Sequence, residues 1–275
     1  MPELPEVESA RTVIERAALE REIVGVDDSD TYECRPHRPG EIRAAMLGRQ
    51  FTAVHRRGKS MWLDTSGNGG SAAPGPALGI HLGMSGKIVI AGGRGGDIEG
   101  GDYWERGRTS GDYRFTRFSV MFADGESLLL IDPRRLGRVR LDPPVDALGP
   151  DAREISRAQF SAAFARGTAP AKARLLDQDA IAGIGNLLAD EILWQARVHP
   201  GRPVGSLSSA EEERLRRATH AVIETAIRGG GVHTLELIPA RHKGGTCPRD
   251  HVPLHTGIYG GRTSWWCPAE QVLAA

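Results

Sequence analysis

The chain changes texture once, near residue 150, and that change restricts its folds more than any other feature. From about Gln50 to Leu141 the apolar residues come in short runs, FTAVHR, SMWLDT, LGIHLG, GKIVI, YRFTRFSVMF, SLLLID and GRVRL, parted by glycine, proline and serine. Runs of this length between breakers predict the strands of an antiparallel sandwich or barrel. Beyond the turn-rich DPPVDALGPDA the apolar spacing becomes three and four, over ISRAQFSAAFARG, AKARLLDQ, NLLADEILWQA and SSAEEERLRRATHAVIETAIRGG. That period predicts helices. In the last run, Ser208 or Ser209 with Glu211 or Glu212 three residues on forms a capping box, and Leu215, Ala218, Val222 and Ile227 share one face. The fold class expected is therefore α+β.

A further helix is predicted at the start, where Leu4, Val7, Ala10, Ile14 and Ala17 make one stripe and Pro5 suits the first turn. The organisation predicted is an N-terminal helix with a β-sandwich over 1–142, a helical domain over 150–232 and a short hairpin over 240–275. Two long breakers, 65–76 and 91–112, read as surface loops. The second carries Arg94, Arg106 and Arg108, with Arg114 just beyond, which leaves a contact with nucleic acid open. Lys plus Arg equals Asp plus Glu at 35 each, so any such site must come from local clustering of charge. No window approaches ~18 uninterrupted apolar residues, and MPELPEVE is acidic rather than signal-like, so a cytoplasmic protein without a membrane partner is expected. Cys34, Cys247 and Cys267 do not make a disulfide framework.

Met1 before the small Pro2 is a removable residue, and its loss leaves a secondary amine at the new N-terminus. An α-amino group titrates near pH 8, so a useful fraction is an unprotonated nucleophile able to form a Schiff base with a sugar aldehyde. Glu3 and Glu6 stand close in sequence to manage protons. Taken alone, such a start is more often a processed end with a solvated acidic face.

Five strings alter that balance: MPELPEVE, the GKS of Gly58-Lys59-Ser60, HLGMSG at 81–86, DPRRLG at 132–137 and GIGNLLADEILWQARVHP at 183–200. In order and spacing they resemble the formamidopyrimidine/endonuclease VIII family of DNA glycosylases. The resemblance covers nearly the whole chain. It implies that Pro2 is the nucleophile, that Glu3 assists proton transfers at the sugar and that Lys59, at a β-turn, contacts phosphate and assists catalysis. It implies that Met84, Arg134 and Leu136 fill the space left by a flipped nucleotide, with Arg134 facing the orphaned base. Leu136 departs from the phenylalanine common in the formamidopyrimidine branch. Gly183, Ile184, Gly185 and Asn186 look like the turn of a helix-two-turn-helix motif, whose amides and asparagine would bind phosphate. Lys172 matches another phosphate-contacting lysine, and Arg262, in GGRTSWW, the arginine at the hairpin tip.

The C-terminal zinc ribbon that the resemblance implies is degenerate here. Only the first sulfur of each C-x-x-C pair remains, in Cys247-Pro248-Arg249-Asp250-His251 and Cys267-Pro268-Ala269-Glu270. Two readings stay open: zinc held by Cys247 and Cys267 with His251 or Asp250, and Glu270, or a metal-free hairpin held by Ile258, Tyr259, Trp265 and Trp266. The segment between Gly231 and Cys247 is also shorter than the loop that covers the flipped base in 8-oxoguanine-processing members. The function expected is that of a base-excision repair glycosylase and AP lyase, removing oxidised or ring-opened purines by a Pro2 Schiff base and β,δ-elimination. Its partner would be double-stranded DNA with damaged bases or AP sites, met as a monomer and in the nucleoid. The alternatives are an endonuclease VIII-like enzyme for oxidised pyrimidines or alkylated bases, and a binding protein for damaged DNA that lacks turnover.

Overall fold

The structure, a computed structural model, describes residues 2–67, 73–93, 95–102, 113–165 and 167–273. It divides into two compact units, Met1–Pro2 with Glu6–Val145 and Glu3–Pro5 with Asp146–Ala275.

The first unit takes most of α1 (Leu4–Ala17), then β1 (Ile23–Asp27), α2 (Glu41–Met46), β2 (Phe51–Arg57), β3 (Ser60–Thr65), β4 (Leu78–His81), β5 (Lys87–Ala91), β6 (Ile98–Gly101), β7 (Thr116–Phe122), β8 (Ser127–Ile131) and β9 (Arg138–Leu141). The strands form two antiparallel sheets, ordered β1-β7-β8-β5-β6 and β2-β3-β4-β9. Strict alternation in β3 turns Met61, Leu63 and Thr65 inward. Met61 and Leu63 meet Ile80 of β4, Ile88 and Ile90 of β5, and Phe118 and Val120 of β7, with Val7, Ala10 and Ile14 of α1 closing the same core. Each such side chain contributes about 1.5–3 kcal/mol relative to exposure.

Three elements go beyond those expected from the sequence: β1 is an isolated five-residue run, α2 has only six residues, and β6 is an edge strand with two glycines, so none carries a period long enough to read. β6 corrects the reading of 91–112 as loop throughout. Residues 103–112, with Arg106 and Arg108, and Arg94 lie outside the described residues, as do 68–72 of the other breaker.

The second unit holds α3 (Arg157–Phe164), α4 (Ala171–Leu176), α5 (Asn186–Ala196), α6 (Ser209–Gly229) and the hairpin of β10 (His255–Tyr259) and β11 (Arg262–Trp266). α6 opens on the capping box of Ser208 and Glu211 and stops at Gly230, whose φ of 90° ends the helix. α5 is buried almost all round, including Leu188, Ile192, Leu193 and Trp194. Trp194 and Leu237 pack with Cys247 and Cys267, so the hairpin belongs to the helical unit. Of the apolar contacts named for a metal-free hairpin, Ile258 is 76% exposed, whereas Trp266 packs edge-on to Tyr259 and to His199. Among the described residues no helix is long and apolar enough to cross a membrane.

Candidate active site and nucleic-acid interface

The start of α5 is capped by a residue 182 positions away. Its own cap position, Gly185, has no side chain, and the Glu3 carboxylate takes that place: it accepts from Gly185 N–H at 2.9 Å, Leu187 N–H at 2.8 Å and Leu188 N–H at 3.0 Å. The first amides of a helix lack intrahelical partners, and the helix dipole favours an anion there. Leu4 N–H donates to the Gly183 carbonyl, so the backbone beside Glu3 is fixed too. A Cβ on Gly185 would lie 2.3 Å from the Glu3 carboxyl carbon, which is why this position is glycine. Glu3 is fully buried, and Pro2 is bonded directly to it. Of the turn expected to bind phosphate, the Gly185 amide is spent on Glu3, as are those of Leu187 and Leu188 just beyond it. Asn186 stands half-buried with its Oδ1 unpartnered.

A second correction concerns Lys172. It is buried, its ammonium 2.6 Å from Asp190 and 2.9 Å from the Thr263 carbonyl, so it ties α4 to α5 and β11 instead of facing phosphate. Burial pushes its pKa down against the pull of Asp190. Arg241 shares Asp190 at 2.8 Å. Arg262 opens β11 and is exposed, beside a turn whose Gly260 lies against Ala173.

In the first unit, strand register gathers the other candidates. Ser60 pairs with His81 and His81 with Arg138. Lys59 therefore precedes β3, Met84 follows β4, and Arg134 and Leu136 precede β9, all at one end of the four-stranded sheet. Burial first, then Lys59 and Arg138, push the His81 pKa down. Its Nδ1 accepts from Gly83 N–H at 3.0 Å and shapes the HLGMSG turn. Gly83 abuts the Leu136 backbone, so the two loops touch. Arg134 is exposed, Leu136 is 46% exposed and Met84 half-buried.

The scaffold of these loops was missed from sequence, although two of its members lie inside quoted motifs. Asp132 accepts from the Ser85 hydroxyl, from Arg134 N–H at 3.0 Å, from Leu136 N–H at 2.8 Å and from Gly137 N–H at 2.9 Å. An exposed apolar side chain and an exposed arginine thus stand on a loop whose base is tightly bonded, an arrangement suited to insertion into a base stack.

In the C-terminal segment, Cys247, Asp250 and Cys267 bring ligand atoms within 4.8 Å of one another, a grouping able to hold a metal ion. A closed structural zinc takes four ligands, and among the described residues this grouping stops at three. His251, exposed with φ of 62°, is outside it. So is Glu270, held by Arg249 at 2.7 Å and Arg197 at 3.4 Å. Of the ligands expected, Cys247, Cys267 and Asp250 come together as a group that could hold a metal ion, while His251 and Glu270 stand outside it. Arg249 instead joins Glu270, the Trp194 carbonyl at 3.1 Å and Gln195 Oε1 at 2.7 Å, and lies 3.7 Å over the Trp194 ring.

Residues 1–139 match the formamidopyrimidine-DNA glycosylase N-terminal domain and residues 147–236 the H2TH domain of the same family. A formamidopyrimidine-DNA glycosylase of Parafrankia sp. is 31% identical over 98% of each chain. One from Arabidopsis thaliana is 34% identical over 82% of this chain and 58% of its own length. The Lactococcus lactis Fpg bound to a DNA containing N7-benzyl-Fapy-dG superposes with a TM-score of 0.80 at 22% identity, over 99% of this chain and 100% of that one. Its complex with abasic-site DNA gives 0.78 at 21%, over 98% and 100%. At these identities the solved structures speak for the fold.

Proposed function

Because the chain belongs to the formamidopyrimidine-DNA glycosylase family, whose members are DNA glycosylases and AP lyases of base-excision repair, we propose that it removes oxidised or ring-opened purines through the Pro2 amine. The observation that carries this reading is the Glu3 carboxylate, buried and immobilised by three amides immediately next to Pro2. Once Met1 is removed, the Pro2 nitrogen attacks C1′ of the flipped nucleotide. The N-glycosidic bond breaks and the base leaves with its electron pair, taking up a proton. Opening of the sugar at C1′–O4′ yields the iminium, with Glu3 near enough to move the proton on O4′. Loss of a C2′ proton then expels the 3′ phosphate, a second elimination expels the 5′ phosphate, and water releases the sugar fragment. Lys59 and Arg262 neutralise phosphate charge in this reading, and Met84, Arg134 and Leu136 fill the vacated stack.

The hairpin is fastened through Arg249, and no step passes through a metal. A second reading, oxidised pyrimidines, is favoured by the compact segment after Gly231, which is built of two short 3-10 turns, Val232–Thr234 and Ile238–Ala240. Single-turnover excision from duplexes carrying a formamidopyrimidine, 8-oxoguanine or thymine glycol separates the two. Fastest release of the ring-opened purine supports the first reading, and fastest release of thymine glycol replaces it with the second.

A further inference from the structure

Glu33 is fully buried and neither of its carboxyl oxygens has a well-formed hydrogen bond, the Gly137 N–H beside it being bonded to Asp132 and only weakly drawing the Glu33 pKa down. Its main chain is well anchored, with N–H donating to Asp30 Oδ1 at 3.1 Å and the carbonyl accepting from Val139 N–H at 2.8 Å. The side chain lies against Gly137, where a Cβ would come within 2.5 Å of Oε2, and beside the Asp132 carboxyl. Asp132 is equally buried but collects a hydroxyl and three amides. Two buried carboxyls in contact do not both ionise, and the one with the weaker donors keeps the proton.

The electrostatics agree with that assignment. Burial, then Asp132 and Asp30, push Glu33 up to about 8. Burial works in the same direction on Asp132, but the bonds from Ser85, Glu33 and the loop amides outweigh it and hold Asp132 below its usual range. The other groups facing Glu33 are Cys34, Arg135 and Arg138, with Asp30 itself paired to Arg135 at 2.8 Å and lying 3.9 Å from Arg117.

We propose that Glu33 is a positioning residue for the wedge: as a neutral acid it donates its proton to Asp132, fixing the loop that carries Arg134 and Leu136 and, through Ser85, the loop that carries Met84. Ionisation of Glu33 places two negative carboxyls in contact and loosens both loops. The inference rests on the reading that these side chains fill the space of a flipped nucleotide. A duplex needs that filling, whereas a single strand leaves no gap in a stack.

The test compares the full chain with Glu33→Gln, whose amide still donates but cannot ionise. Affinity for a duplex carrying a non-cleavable abasic analogue is followed from about pH 6.5 to 9, beside lyase activity on a single-stranded AP oligonucleotide. We expect duplex affinity of the native chain to fall about tenfold more than that of Glu33→Gln over this range, with single-strand activity moving alike in both. Superimposable duplex profiles overturn the proposal. Absence of lyase activity on the single strand counts against the catalytic reading instead, and leaves the duplex comparison to judge Glu33. Should Glu33→Gln fail to fold, infrared titration of the native chain decides: a buried carboxylic-acid band lost above about pH 8 supports the assignment, and no such band refutes it.

Discussion

Glu3 and Glu33 are both carboxylates with no exposed surface, and they are satisfied in opposite ways. Glu3 enters the amino end of a helix and meets three amides, so the backbone pays its desolvation and an anion rests there at fixed geometry. Glu33 meets another carboxyl, and the Gly137 N–H beside it is too weak a donor to offset burial, so its favoured state is the neutral acid. The first arrangement is suited to a group that handles protons beside Pro2. The second is suited to holding a loop and makes that loop sensitive to pH. Burial alone does not tell a carboxylate's role; the donors around it do.

That contrast breaks most visibly at Glu3. Glu3→Gln cannot take up a proton and loses favourable charge at the helix end, so single-turnover cleavage of AP-site DNA should fall by about 10²–10⁴-fold. Retention of wild-type rates would remove Glu3 from the chemistry. Next in size is Gly185→Ala, which pushes a methyl into the Glu3 carboxyl and should cost about 1–3 kcal/mol in denaturant unfolding. An unchanged midpoint would mean that Glu3 does not sit on the helix end.

Glu33 gives a smaller effect with a definite sign. Its folded value near 8 stands above the ordinary 4.5, so between those values the native state holds a proton that the unfolded chain has released. Stability should therefore decline as pH rises from 4.5 to 8 and then level, and Glu33→Gln should flatten that portion of the curve. A native curve that rises steadily over the window would contradict the assignment. The smallest effect expected is from metal removal. If Arg249 fastens the hairpin, a strong zinc chelator leaves Tm within about 1 °C, whereas Arg249→Ala lowers it by about 2–4 °C. Stoichiometric zinc in the purified protein, with a chelator-dependent melt, would reverse that order.

Local pattern sufficed for long helices such as α6, since Ser208 and Glu211 form their capping box inside four residues, and for strands such as β3, whose alternation is complete. It failed where a residue's partner is remote. Nothing near Gly185 in sequence reveals that its amide, with those of Leu187 and Leu188, goes to Glu3. Lys172 matched a phosphate-contacting lysine, and its burial against Asp190 was not visible because Asp190 is eighteen positions away. Glu33, in TYEC, carries no local signal of burial, because the loop that covers it comes from residues 132–137. The candidate nucleophile and its neighbours were legible because their motifs are contiguous, whereas the ligand set of the hairpin was not: Arg249 claims Glu270 only in three dimensions.

The most direct measurement is borohydride trapping on AP-site duplex DNA, with the adduct mapped by peptide mass spectrometry and Pro2→Gly as control. A covalent adduct is expected on the N-terminal peptide at Pro2, formed after loss of Met1 and lost or displaced in the variant. An adduct mapping to a lysine in the native chain, or none despite tight binding, would contradict attack by Pro2.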